Sequence, residues 1–339
     1  MNTPVEYALF ANVENPFDDA PRALRESVDT IVHAEALGFE QVWLTEHHFN
    51  PFSISAALLP LLAYLTARTT RIKLGAGALL LPFHDPVRIA EDLATIDALA
   101  DGRLLLGVGR GGPFPEQFKH FGIAPEDSRA RLFDALDLIE EILQKTPVDR
   151  SSGHYRYDNL AVFPRPLRPR LPTWLASLND DSLRLAAQRG YGLMGPSAAP
   201  VEKLREALAA FAAYADRPAL PFVVARYFLC ADDHAAARRE ASPFIRDFGS
   251  NMRTIYRDYP NSPAMRPFGQ AAEEFADDSL LAKAIVGDPA ACIEQCLALR
   301  EAIGPHILLL KPAAYDPDTN RRSLTLFAER IRPALPTHD

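Results

Sequence analysis

Eight short apolar runs recur along the chain, each followed by a longer stretch with apolar residues at helical spacing, and this alternation restricts the fold more than any other feature. The runs lie at 7–13, 41–44, 72–81, 103–108, 173–176, 193–194, 222–230 and 306–310. Helical stretches between them place Leu24, Val28, Ile31 and Val32 before Gly38, and Leu132, Leu136, Ile139 and Leu143 within 125–144. Apolar residues three or four apart share one helix face, whereas an uninterrupted run such as 72–81 suits a strand covered on both sides in a parallel sheet. Strand-helix units in unbroken succession predict an α/β fold of the (β/α)8 TIM-barrel type, with a doubly wound open sheet as the alternative. The 339 residues are read as one barrel domain, 1–339.

Proline punctuates the pattern, at 29 residues against 17 glycines, and Pro51, Pro86, Pro172 and Pro289 mark element boundaries because proline interrupts helices and central strands. Asp85-Pro86 reads as an N-cap followed by proline in the first helical position. Residues 154–163 alternate like a small hairpin, and the proline- and arginine-rich 163–172 forms an extended connector. Residues 249–284, between strands seven and eight, break the alternation; this longest insertion is expected to be an irregular lid or substrate loop.

A formal net charge of -8 excludes the basic face that nucleic acid or an anionic membrane demands, leaving small molecules as partners. Three cysteines, with Cys292 and Cys296 one helical turn apart, make no disulfide framework and fit a reducing, cytoplasmic setting. No leader is read at the start, and no apolar stretch reaches the roughly 20 residues of a membrane span.

Barrel chemistry collects at the carboxyl ends of the strands. The second strand ends in Glu46, His47 and His48, and alternation in extended chain turns one histidine toward the barrel mouth. An acid/base histidine, a metal ligand and a loop hydrogen-bonding role are the three readings. For metal, His84 and Asp85 end strand three, but no third histidine occupies an equivalent place, and no metal is expected. Strand four ends in Gly107-Val-Gly-Arg-Gly-Gly112, a formal GxGxxG that runs into Pro-Phe-Pro rather than a helix, so the glycines are read as admitting a ligand while Arg110 supplies a forked charge. Residues 177–181 open a helix whose N-H groups suit an anion, although Asp180 and Asp181, read as caps, would oppose one. Cys230 ends an apolar strand, and no G-x-S-x-G elbow or Ser-His-Asp order supports acyl transfer.

Taken together, VWLTEHHF (42–49), LPFHDPVR (81–88), AEDLATID (90–97) and DGRLLLGVGRG (101–111) closely resemble the bacterial luciferase-like flavin monooxygenases. The likeness continues through FG (121–122), SRA (128–130), AAQRG (186–190) and VGDP (286–289), over nearly the whole chain. It implies a TIM barrel and the following site. His47 is the catalytic acid/base; Arg110 binds the FMN phosphate, with Ser177 and Leu178 at the helix opening after strand five and Arg129 as a second arginine. A non-prolyl cis peptide falls beneath the isoalloxazine at Gly77-Ala78. The sequence departs from luciferases proper where Gly109 replaces a cysteine and Met194 to Ser197 lacks a tryptophan, which argues against luminescence. It also lacks the family's Glu-Ser pair after strand five.

The resemblance implies a two-component monooxygenase. Reduced FMN from a separate NAD(P)H:flavin reductase reacts with O2, and a flavin peroxide oxygenates a small organic substrate whose identity the sequence does not name. The alternatives are a deazaflavin-dependent oxidoreductase on the same barrel and a non-catalytic flavin-binding partner subunit. The family's pairing through the helices after strands two and three implies a homodimer.

Overall fold

In the computed structural model, which describes residues 6–112, 114–258 and 275–336, the apolar runs become parallel strands. They are β1 (Tyr7–Ala11), β2 (Gln41–Leu44), β3 (Lys73–Leu80), β4 (Leu104–Gly109), β5 (Thr173–Leu175), β6 (Gly192–Gly195), β7 (Val223–Cys230) and β8 (Ile307–Pro312). Each pairs with its sequence neighbour, and β8 returns to β1 with Leu308 opposite Tyr7. The sheet is therefore a closed (β/α)8 barrel, which settles the choice against an open sheet. Closure gives each of the eight barrel strands a neighbour on both sides.

The local chemistry follows the sequence in most places. The Asp85 carboxylate accepts hydrogen bonds from the backbone N-H groups of Val87 and Arg88, and Pro86 opens the helix Pro86–Leu99. Inside the barrel, the Trp43 and Trp174 rings meet edge to face at 5.1 Å. Trp174 fits because position 192 has no side chain: a Cβ there would lie 2.1 Å from Trp174 Cδ1. These indoles fill the barrel interior, and the side chains nearer the carboxyl ends of the strands are left to form a site.

Four details depart from expectation. Beyond the Pro51 boundary the chain does not turn helical until Leu58–Arg68, because Ser53 and Ser55 are drawn into hydrogen bonds with the loop after β1 and with Thr45. The hairpin pairs Val148–Ser151 with Arg156–Leu160. A short strand, Ile285–Gly287, adds to the end of β7. Finally, the segment expected to be irregular from residue 249 continues the helix His234–Asp258 and is helical again at Asp277–Lys283. The apolar period runs through Gly249: Phe244, Ile245 and Met252 are buried with Phe275 and Leu280 in one cluster, against which Phe248 and Ile255 pack. Residues 259–274 of that insertion lie outside the described residues. Among the described residues, no helix is long and apolar enough to cross a membrane.

Candidate active site

A cavity of about 670 Å³ opens at the carboxyl ends of the strands, and His47, Gly77, Ala78, Arg110, Ser177 and Leu178 all line it. Four different strand ends and turns thus deliver to one place the residues that the sequence marked separately. The Gly77-Ala78 peptide bond is cis, at the position the resemblance assigned. Buried Arg226 donates to the carbonyl oxygens of Pro196, Ser197 and Ala199, and so pins the loop after β6 that forms part of the cavity wall.

The turn after β2 splits its three polar residues. His47 faces the cavity, while His48 turns away toward the rings of Phe83, His84 and Phe121. Between them Glu46 is buried, and its Oε1 accepts from the Nε2 atoms of both His48 and His84 at 2.6 Å while Oε2 accepts from the Leu80 N-H at 2.7 Å. Burial alone would raise the proton affinity of this carboxyl, but those three hydrogen bonds outweigh it and hold Glu46 ionised, below the usual carboxylate range. The clamp ties the end of β2 to the end of β3 and fixes the backbone that carries His47. Its Nδ1 has no hydrogen-bond partner among the described residues. Burial, followed by the positive charge of Lys311, lowers the His47 pKa to about 3, so the ring is neutral at physiological pH.

On the opposite side, β4 leads into the glycine turn that carries Arg110. Gly111 has φ 99°, and a Cβ there would meet the Phe83 and Phe118 rings at 2.8 and 2.9 Å, so this turn requires glycine. Arg110 Nη1 donates to Ser128 Oγ at 3.2 Å. Burial and then the neighbouring charge of Arg129 lower the proton affinity of Arg110, an environment that an anion would relieve. Arg129 itself does not line the cavity; its Nη1 reaches Asp181 Oδ2 at 2.5 Å. The expected capping by Asp180 and Asp181 is corrected as well. Asn179 caps the helix Asp180–Arg189 by accepting from the Ser182 N-H, while Asp180 is taken by Arg184 and Tyr214. A side-chain amide in β-region geometry competes well for the cap, and both carboxylates find cationic or hydroxyl partners to one side.

Among the polar wall residues that sequence reasoning missed are Gln117 and Lys311. Gln117, on the short helix Pro115–Phe121, is fully buried beside the cavity with neither amide atom hydrogen-bonded among the described residues. Lys311, next to last in β8, is a buried cation in the same wall. A lysine ending the run Ile-Leu-Leu-Leu was the available signal, since a charge seldom ends so apolar a strand without a use. The structure also gathers Glu46, His48 and His84, whose potential ligand atoms lie within 4.8 Å of one another. Their mutual hydrogen bonds account for that cluster.

The sequence profile described as luciferase-like monooxygenase matches residues 5–306. Limonene 1,2-monooxygenase of Rhodococcus erythropolis is 31% identical over 56% of this chain and 49% of its own length. The chain spans about half the length of the first curated relatives it matches, 49–58% of each. The F420-dependent glucose-6-phosphate dehydrogenase of Intrasporangium calvum is 27% identical over 92% of this chain and 95% of its own. Among solved structures, the oxygenating constituent of 3,6-diketocamphane monooxygenase from Pseudomonas putida, in complex with FMN, superposes with a TM-score of 0.82 at 20% identity, covering 99% of this chain and 100% of that one. At that identity the likeness speaks for the barrel.

Proposed function

The chain belongs to the luciferase-like monooxygenase family, and from that premise we propose that it binds reduced FMN and uses O2 to oxygenate a small organic substrate. The observation that carries this reading is the convergence of His47, the Gly77-Ala78 peptide and Arg110 on one cavity. The residues present fit the cofactor. The cavity lies within the roughly 300–1,000 Å³ of ligand sites. It offers a phosphate-matching guanidinium at Arg110, and Gln117 has an unmet donor and acceptor beside it.

Arg110 and the helix opening at Ser177 and Leu178 would hold the phosphate, with Arg129, paired to Asp181, adding charge nearby. Gly77 and Ala78 would belong to the wall that receives the ring system. Bound reduced FMN supplies the electrons that activate O2. His47, neutral and held by the Glu46 clamp, takes up or returns a proton at its ring nitrogen beside the reacting group. The apolar wall from Phe248 and Met252 excludes water from the chemistry. A separate NAD(P)H:flavin reductase delivers the reduced cofactor. Two copies pair through the helices after β2 and β3, where Tyr64 and Leu99 are exposed.

The test is oxygen uptake with chemically reduced FMN across a substrate panel, with product mass measured. Substrate-dependent gain of one oxygen atom supports the reading, and no substrate-linked oxygen consumption overturns it. A second reading, a deazaflavin-dependent oxidoreductase that transfers hydride without O2, draws on the similarity to the F420-dependent dehydrogenase across 92% of the chain. Comparing the binding of reduced FMN and reduced F420 separates the two.

A further inference from the structure

Lys311 is 5% exposed, lies next to last in β8 and lines the cavity that holds His47. An ammonium has three N-H donors and forms good hydrogen bonds at roughly 2.7–3.2 Å. The acceptors nearest Lys311 Nζ among the described residues are more distant: the Tyr227 hydroxyl at 3.4 Å and Glu14 Oε1 at 3.6 Å. Its other neighbours are ring faces, Tyr227 at 4.7 Å and Phe248 at 5.3 Å to the centroids. These attract a cation without using up its hydrogen-bonding capacity. The charge is thus held in place, and its donors are not saturated by the described residues.

The counter-charge is deliberately placed. Asn12 Nδ2 donates to Glu14 Oε1 at 3.0 Å, and Thr45 Oγ1 donates to Asn12 Oδ1 at 2.7 Å, so Glu14 is oriented by the end of β2. The loop between them passes through Val13 at φ 44°, a region that a β-branched residue enters only under strain. Burial disfavours the charged form of Lys311, and Glu14 works against that.

We propose that Lys311 is a substrate-binding residue, and that the substrate is an apolar molecule carrying one anionic oxygen, a carboxylate or phenolate, which Lys311 Nζ takes up. Phe248, Met252, Phe275 and Leu309 supply the apolar wall for the rest of the molecule. The oxyanion would sit on the β8 side, leaving the body of the substrate directed toward His47. This inference rests on the reading of the cavity as the oxygenation site, but its test does not require turnover.

The experiment measures dissociation constants of the full chain for 2-naphthoate, 4-nitrophenolate and the neutral 2-naphthylmethanol by calorimetry, with FMN titrated separately. The expected result is that at least one anion binds about tenfold or more tightly than the neutral probe, the size of one charge-assisted hydrogen bond. Whichever anion does so identifies the source of the oxygen. Lys311→Met should erase that preference while leaving the neutral probe unchanged, Lys311→Arg should restore part of it, and Glu14→Gln should sharpen it. If Lys311 serves only to pair with Glu14, Lys311→Met will shift anionic and neutral probes alike, or wild type will show no preference; either result overturns the proposal. Anion preference without FMN binding would instead sink the flavin reading and leave this one standing.

Discussion

Replacing Arg110 with alanine removes the one cavity-lining guanidinium in the glycine turn, and its effect can be anticipated in size and in selectivity. A hydrogen bond to a charged partner contributes about 1.5–3 kcal/mol when well buried. Arg110 is only partly buried and already donates to Ser128 Oγ, so solvent screening places the loss near the lower end, about 2 kcal/mol, or roughly 30-fold in Kd. The loss should fall on the phosphate alone. Fluorescence titration of FMN and of riboflavin, which shares the ring system but lacks the phosphate, makes the comparison: Arg110→Ala should weaken FMN about 30-fold and leave riboflavin within a factor of two or so. Arg129→Ala should cost FMN only severalfold, because that charge is shared with Asp181. Equal weakening of FMN and riboflavin would show that Arg110 shapes the turn instead of binding an anion, and unchanged FMN affinity would remove it from the site.

Two predictions concern the scaffold. Gly192→Ala forces a Cβ to 2.1 Å from Trp174, whose indole N-H is tied to the Pro221 carbonyl at 2.9 Å and cannot swing away; denaturant unfolding should show a loss of about 3 kcal/mol, the upper range of overpacking. Gly109→Ala, whose added carbon meets nothing nearer than 3.4 Å, should be close to neutral, and equal losses would contradict the packing account. His306 is buried, which lowers its pKa from 6.5 to about 4 while its Nδ1 bonds the Gly304 carbonyl. The unfolded chain then binds the proton more readily, so stability from this group is whole above pH 6.5 and falls as pH drops toward 4, by roughly 3 kcal/mol in all. Urea midpoints at pH 7 and 4.5 should converge for His306→Gln relative to wild type; parallel losses would assign the acid lability elsewhere, His47 being the next candidate because its pKa moves the same way.

The barrel was legible because its evidence is local: apolar runs, helical periods and proline stops each occupy a short window of sequence. Alternation beyond Trp43 said that one of His47 and His48 faces the mouth and only the family resemblance said which, whereas the glycines around Arg110 mark its turn locally. The Gly77-Ala78 bond was readable only through family resemblance. What stayed hidden depends on neighbours that sequence spacing does not show. Glu46 meets His84 because β2 lies beside β3, Lys311 meets Glu14 because β8 closes on β1, and Asp181 leaves the helix cap because Arg129 approaches from a distant helix. The helix past residue 249 stayed hidden because burial of Phe244 and Met252 on either side carries it through, and that burial comes from packing against Phe275 and Leu280 further along the chain.

The central claim is that this cavity directs an oxygen atom from O2 into a substrate with His47 as the proton-handling residue. Incubating the chain with reduced FMN, 18O2 and an oxygenated substrate, then weighing the product for wild type and His47→Ala, addresses it directly. The account predicts one 18O atom per product molecule in wild type and a rate lower by about two orders of magnitude or more in His47→Ala. Product formed without 18O, or formed at an unchanged rate in the variant, would contradict it.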